Sequence, residues 1–560
     1  MLGLRIKTLF VLSILKNLKR FLRWAYRLRL RAVSFTHHKY YDTNGLSVLL
    51  ENLDFKNLQT RQRFKILKSI AQREWQEQRK KISMDAALEA VLLNPNSSFT
   101  KWTAFRLFDI GFISKALSLL EGNLSKYKLT ERELNKYAEI KDYKNLLNHL
   151  PDVPSDYIER RSSTQGYLLY VTASCLPYHT SGYSIRTHEL LLALKASGRR
   201  FIILTRPGYP YDRKDSSGTP RGSTTNYGGL QYNHIPNPSS KTNLSEYFQK
   251  AASEIIKFSE CHQIDTVHAA SNYINALPAL IAARSLGLKF NYEMRGLWDM
   301  TQATKIDGYE FTERYKVGMS LEYFIARKAE SVFAISKPMK DLLLQNGVCA
   351  SKTELLPNCV NIQRFKRLST NTISDPSIPN ICFAGTLNEY EGVDVIIDSV
   401  KILVDGGFPV KFNIVGDGPH KRSLIKRTNA LKLNKYVKYF GVISYEESLK
   451  ILSRASIVLI TRRSYEVCKI VPPIKVVEAV AIGIPIIYTD LPAIKFELKD
   501  YTHCYKLEKL DPGLLADKII EVSRIPTFQK QAFDPSFNRK WKNYVHFFSN
   551  ISANSKSTHN

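Results

Sequence analysis

Apolar positions change their period near residue 165 of this 560-residue chain. From 46 to 150 they recur at helical spacing with almost no glycine and few β-branched runs, which predicts an all-α region. Residues 151–165, rich in Pro, Ser and Arg, read as a linker. Short apolar runs then follow at Tyr167–Thr172, Phe201–Thr205, Thr266–Ala269, Phe290–Tyr292 and Ser331–Ile335, alternating with helical stretches such as Ile185–Ala196 and Ala276–Leu286. That alternation predicts a parallel α/β sheet. Pro207 and Gly208 close its second strand, and the Gly-, Ser-, Asn- and Tyr-rich stretch up to Pro238 predicts a long, mobile loop. A second α/β pattern begins near Pro379, with strands at Ile381–Ala384, Lys411–Val415, Val437–Phe440, Ile457–Ile460 and Ile484–Tyr488. The implied domains are an arm (1–45), a helical region (46–150), the linker, two α/β domains (166–375 and 376–530), a terminal helix (531–551) and a disordered tail (552–560).

Composition adds two points. With 44% hydrophobic and 24% charged residues the chain is globular, and its seven cysteines show no metal-ligand spacing, which fits a reducing compartment. The formal charge of +30 calls for an anionic partner. Met1 to Tyr41 contains no Asp or Glu, and Val11, Ile14, Leu15, Leu18, Phe21, Leu22 and Ala25 form an apolar stripe opposite Lys16, Lys19, Arg20, Arg23 and Arg27. Such a helix suits an anionic membrane surface, contacted through residues 1–31, where each basic residue contributes roughly 1 kcal/mol. A terminal helix docked on its own protein is the plainer reading. No run is long enough to span a membrane, no cleavage site follows Leu9–Leu15, and no nucleic-acid-binding module is recognisable. Residues 87–120 are similar to a tetratricopeptide helix pair, which suggests either a protein partner for the helical region or a cap on the rest of the chain.

The chemistry is densest between Lys469 and Leu491. A Pro472-Pro473 turn precedes a short helix carrying Lys475 and Glu478, with Gly483 as its stop. A helix N-terminus and a lysine suit a phosphate, and a carboxylate one turn on suits a sugar diol. This segment resembles the nucleotide-sugar signature of glycosyltransferase family 4. Six further segments of similar kind stand in the same order: S-G-Y-S-I-R-T-H-E-L (181–190), E-M-R-G-L-W (293–298), A-I-S-K (334–337), L-P-N-C-V-N (356–361), G-T-L-N-E-Y-E-G (385–392) and I-V-G-D-G-P (414–419).

The resemblance implies a GT-B architecture, two Rossmann-like domains facing a cleft and preceded here by the all-α region. It implies a retaining, hexosyltransferase-type enzyme that moves a sugar from a nucleoside-diphosphate sugar to a hydroxyl, with no cofactor and no metal; no D-x-D motif is present. Lys475, Arg462 and Arg295 would be the catalytic residues. Donor contacts would come from Gly385, Thr386, Gly416, Arg463, Pro473, Ile474 and Glu478, and the acceptor and sugar side from Ser181, Gly182, Tyr183, Arg186, Glu293 and Trp298. His268 reads as structural, and a buried ion pair is the rival reading for Arg295. Two departures stand out: Ile470 replaces the first Glu of the usual E-x7-E pair, and Glu391 stands where a Lys is usual. The 531–551 helix would cross back to the first α/β domain. A glycan or lipid-linked acceptor, met at the inner face of the cell membrane by a cytoplasmic peripheral protein, completes the picture. The alternatives are a nucleotide-sugar epimerase on the same fold and a non-catalytic helical scaffold.

Overall fold

The computed structural model describes residues 45–126, 128–154, 166–213, 218, 220, 222–361, 364–365, 378–525 and 539–548. The basic amphipathic arm, most of the linker and the 552–560 tail lie outside them. The chain divides into two compact units, residues 1–147 with 306–315, and 148–305 with 316–560.

The first unit is helical. Thr60–Gln76 packs on Lys80–Leu93, and Ser98–Asp109 on Ile113–Glu121, followed by the longer Glu131–Asn148. The tetratricopeptide-like segment, 87–120, begins within Lys80–Leu93 and runs through Ser98–Asp109 into Ile113–Glu121. Residues 306–315 belong here because their side chains finish its core. Arg314 stacks over Phe108 and Tyr143, at 4.9 and 4.8 Å from the ring centres, and Glu313 accepts from the Ser114 amide at 2.6 Å.

The second unit holds two sheets. One has the order β3-β4-β2-β1-β5-β6-β7-β8, from β1 (Tyr167–Thr172), β2 (Phe201–Thr205), β3 (Thr224–Tyr227), β4 (Leu230–Asn233), β5 (Ile264–Ala270), β6 (Lys289–Met294), β7 (Ser331–Ala334) and β8 (Thr353–Leu355). All neighbours are parallel except the β3–β4 hairpin. That hairpin corrects the expected loop: Gly228 and Gly229, both with positive φ, make the turn that the long Gly- and Ser-rich stretch conceals. The other sheet has the order β11-β10-β9-β12-β13-β14, all parallel, from β9 (Asn380–Ala384), β10 (Lys411–Val415), β11 (Val437–Gly441), β12 (Ile457–Ile460), β13 (Ile486–Thr489) and β14 (Cys504–Leu507). Its central strands are buried on both faces, which is why they read as unbroken apolar runs rather than alternating ones.

Two parallel sheets with helical connections make this a GT-B fold. In each, strand order reverses beside the first strand, between β1 and β5 and between β9 and β12. Ligands of such sheets bind beyond the carboxyl ends of strands at these reversals. Within the span of the expected terminal helix, 531–551, the described residues 539–548 form two short 3₁₀ turns, Trp541–Asn543 and Val545–Phe548. Trp541 and Phe548 are buried in the core of the first sheet beside Leu168, Tyr170 and Phe333, so the chain does return to that sheet.

Candidate active site

The Lys469–Leu491 segment folds nearly as its residues imply. Pro473 precedes a nine-residue helix, Ile474–Ile482, whose N-terminus no side chain caps, and Gly483 ends it in the left-handed region at φ 81°. The following strand starts at Ile486 rather than Ile484. This helix begins opposite a second one, Gly182–Ala196, which starts beyond β1: a Cβ on Gly182 would lie 3.5 Å from Ile474 Cγ2. Ser181 caps its own helix in a reciprocal pair with Ser184, so its hydroxyl is committed to the fold.

Beyond β9, Gly385 and Thr386 are exposed. A Cβ on Gly416 would meet Gly385 O at 1.9 Å, so the loops after β9 and β10 touch backbone to backbone. The Lys475 Nζ stands 3.6 Å from the place a Gly385 Cβ would take and 3.6 Å from the centre of the Phe383 ring.

The sequence treats Arg462 and Lys475 as open cations, and here the structure differs. Both are bound by the buried carboxylate of Glu391, with Oε2 taking Lys475 at 2.5 Å and Oε1 taking Arg462 at 2.8 Å. Burial would push the Glu391 carboxyl up, but the two cations overcome it and hold the carboxyl below its ordinary range. Burial pulls Lys475 down to about 8, against the charge of Glu391 that supports it. Two cations and one carboxylate leave a single positive charge at this point. Arg463 is also engaged, paired with Asp394 at 2.5 Å and donating to the Glu389 carbonyl at 3.1 Å.

Glu478 lies one turn beyond Lys475 and is buried. Its Oε1 accepts from the Tyr445 hydroxyl at 2.8 Å, and burial pushes its carboxyl up to about 7. Nothing in the spacing of the chain points to Tyr445. Its contact spans 33 positions and exists only because two helices of the same sheet pack together.

On the first sheet, Arg186, Glu293 and Arg295 form a closed ion cluster. Glu293 takes Arg186 at 2.7 Å on Oε1 and Arg295 at 2.6 Å on Oε2, and Oε2 also accepts from Tyr170 at 3.0 Å. Arg186 donates further to the Leu356 and Pro357 carbonyls at 2.5 and 2.6 Å, and Arg295 to Thr187 at 2.6 Å. All three side chains are at most 2% exposed, so Arg295, expected to be catalytic, and Arg186 and Glu293, expected on the acceptor side, are held together in a buried ion cluster, the rival reading for Arg295. His268 is part of the same cluster, 3.2 Å from Glu293. Of the residues expected on this side, Gly182, Tyr183 and Trp298 are exposed. Among the described residues no cluster of His, Cys, Asp and Glu is arranged to hold a metal, and no helix is long and apolar enough to cross a membrane.

Fold and site together define a GT-B protein whose second sheet carries a helix start, a lysine and a carboxylate at its strand-order reversal. Residues 181–359 match the family described as glycosyl transferase 4-like domain, and residues 378–524 that described as glycosyl transferases group 1. Over 215 residues the chain is 23% identical to WcaI of Escherichia coli K12, whose name describes a glycosyl transferase of colanic acid biosynthesis. The match covers 37% of this chain, which spans about half (51%) of that relative's length. Among solved structures, sucrose-phosphate synthase of Thermosynechococcus elongatus superposes with a TM-score of 0.54 at 15% identity, over 68% of this chain and 97% of that one. The catalytic domain of starch synthase IV of Arabidopsis thaliana, bound to ADP and acarbose, gives 0.50 at 10% identity, over 69% and 98%.

Proposed function

We propose that the chain is a retaining, metal-independent glycosyltransferase of family 4 that moves a hexosyl group from a nucleoside-diphosphate sugar to a hydroxyl of a glycan or lipid-linked acceptor in cell-surface polysaccharide synthesis. The observation that carries the reading is the convergence of the uncapped Ile474–Ile482 helix start, Lys475 and Glu478 beside the exposed Gly385 loop at the β9–β12 reversal. The departing diphosphate meets the helix N-terminus and the net positive charge of the Glu391, Arg462 and Lys475 group, which stabilises charge as it develops. Glu478 accepts from the ribose diol, and the acceptor approaches from the Gly182, Tyr183 and Trp298 side. The basic arm holds the enzyme at the inner face of an anionic membrane, and the helical unit offers a surface for a protein partner. The glycosyl transferase matches and the ADP bound by the starch synthase domain support this reading over an epimerase or a scaffold.

Nucleotide release from a panel of UDP-, GDP- and ADP-sugars, run with and without EDTA, tests it. One donor should turn over equally in both conditions, and Glu478→Ala and Lys475→Ala should each cost tens of fold, about the worth of one charge-assisted hydrogen bond. Unchanged turnover in both variants would move the site elsewhere.

A pH dependence follows from Glu478. Its folded value, about 7, lies above its ordinary 4.5, so the folded protein holds a proton on this carboxyl between those limits, and its contribution to folding stability falls as pH rises across that window. The charged form that receives a diol gains as pH rises through 7. From pH 8 to pH 6 nucleotide affinity should fall in the wild type relative to Glu478→Gln by up to about tenfold, as calorimetric titration of both would read, because protonation of Lys475, which strengthens phosphate binding over the same window, is common to both proteins.

A further inference from the structure

Glu478 does not stand alone at the end of its contacts. Its Oε1 is occupied by the Tyr445 hydroxyl at 2.8 Å, whereas Oε2 accepts no hydrogen bond among the described residues. Burial keeps the Tyr445 phenol well above its ordinary range, so it stays protonated and is a permanent donor. Behind the Tyr445 ring, with its guanidinium carbon 5.5 Å from the ring centre, lies Arg364. Arg364 belongs to the connection between the two sheets. Its neighbour Phe365 is buried in the core of the second sheet beside Leu449 and Leu452, which fixes this piece of the connection to the helix that carries Tyr445. Arg364 itself reaches the other way and pairs at 2.6 Å with Glu189, in the second turn of the Gly182–Ala196 helix of the first sheet. Contacts therefore run from the first sheet through the connection to Glu478: Glu189, Arg364, Tyr445, Glu478.

We infer that Tyr445 and Arg364 are positioning residues for ribose recognition. Tyr445 fixes one oxygen of Glu478 so that the other faces a vicinal diol, and Arg364, held by Glu189 of the first sheet, fixes the Tyr445 ring. The inference rests on the donor reading of Glu478 proposed above. It is separable from it, because a fixed carboxylate discriminates a ribose from a 2′-deoxyribose, whereas a loosely held one does not.

The test is calorimetric titration of the full chain with the nucleoside diphosphate it binds best and with the 2′-deoxy form of that nucleotide. Wild type should prefer the ribonucleotide by tens of fold, about the worth of one hydrogen bond made to a charged group. Tyr445→Phe and Arg364→Met should each lose most of that preference while binding the deoxynucleotide as wild type does. Tyr445→Phe should add nothing further in a Glu478→Ala background, because the carboxylate that Tyr445 positions is then gone. Glu189→Gln, the mildest change, should lose part of the preference with an unchanged melting temperature. Full preference retained in both Tyr445→Phe and Arg364→Met would overturn the inference and leave the donor reading intact. Wild type binding no nucleoside diphosphate would overturn both.

Discussion

Glu293→Ala should cost the protein about 3–5 kcal/mol of stability, because it leaves two buried guanidiniums facing one another with no counter-charge. Arg186 and Arg295 each spend a charge-assisted bond on this one carboxylate, and His268 and Tyr170 lean on it as well. Burial would push Glu293 up, and the two arginines reverse this and hold it well below the usual carboxylate range. Set against a folding free energy of roughly 5–15 kcal/mol, a loss of this size removes a fifth or more of the total. Urea unfolding is the measurement, with Asp417→Asn as the reference. Asp417 pairs with Lys421 at 2.7 Å in an exposed position, where an ion pair contributes at most about 1 kcal/mol. A cost for Glu293→Ala no larger than that of Asp417→Asn would show that the cluster does not hold the domain together.

The second large effect belongs to Glu391. Glu391→Ala strands Arg462 and Lys475 side by side under the Gly385 loop, and the same reasoning sets the cost at about 3–5 kcal/mol. Unlike the Glu293 cluster, this one borders the helix start, so an added anion can replace the missing carboxylate. The variant should therefore gain more in melting temperature from a saturating nucleoside diphosphate than wild type does. Lys475→Met added to Glu391→Ala should restore part of the lost stability, since a buried cation then disappears. Proton linkage gives a further sign. Lys475 titrates near 8 in the fold against its ordinary 10.5, so the folded protein sheds this proton first and the group's contribution to stability rises with pH across that window. An equal nucleotide-induced shift in both proteins would mean that Glu391 holds its cations away from any bound phosphate.

Both clusters mark where sequence reading stops. Strand positions and the Gly483 stop were legible because burial on both faces and a left-handed residue leave local signatures, and ten of the strand runs fall where the apolar runs do. The β3–β4 hairpin was hidden because its strands are mostly polar on a sheet edge. Lys475 and Glu478 were legible as a pair because three residues on a helix share a face. Their partners were not: Glu391 lies 84 positions from Lys475, and Tyr445 lies 33 from Glu478. Arg295 shows the same limit from the other side, since an arginine at a strand end looks alike in sequence whether it faces a cleft or a buried carboxylate.

The short stretch before the Ile474–Ile482 helix has a consequence for turnover. Ser336, the cap of the Lys337–Gln345 helix beyond β7, donates to the Ile470 carbonyl at 2.6 Å, and Asn358 donates to the Pro472 carbonyl at 3.2 Å. The loop that leads into the Ile474–Ile482 helix is thus tethered to the opposite sheet by its own backbone. Under the function proposed above, parting the two halves would break these two hydrogen bonds and disturb that loop, which would make release of the spent nucleotide and opening of the molecule a single mechanical event.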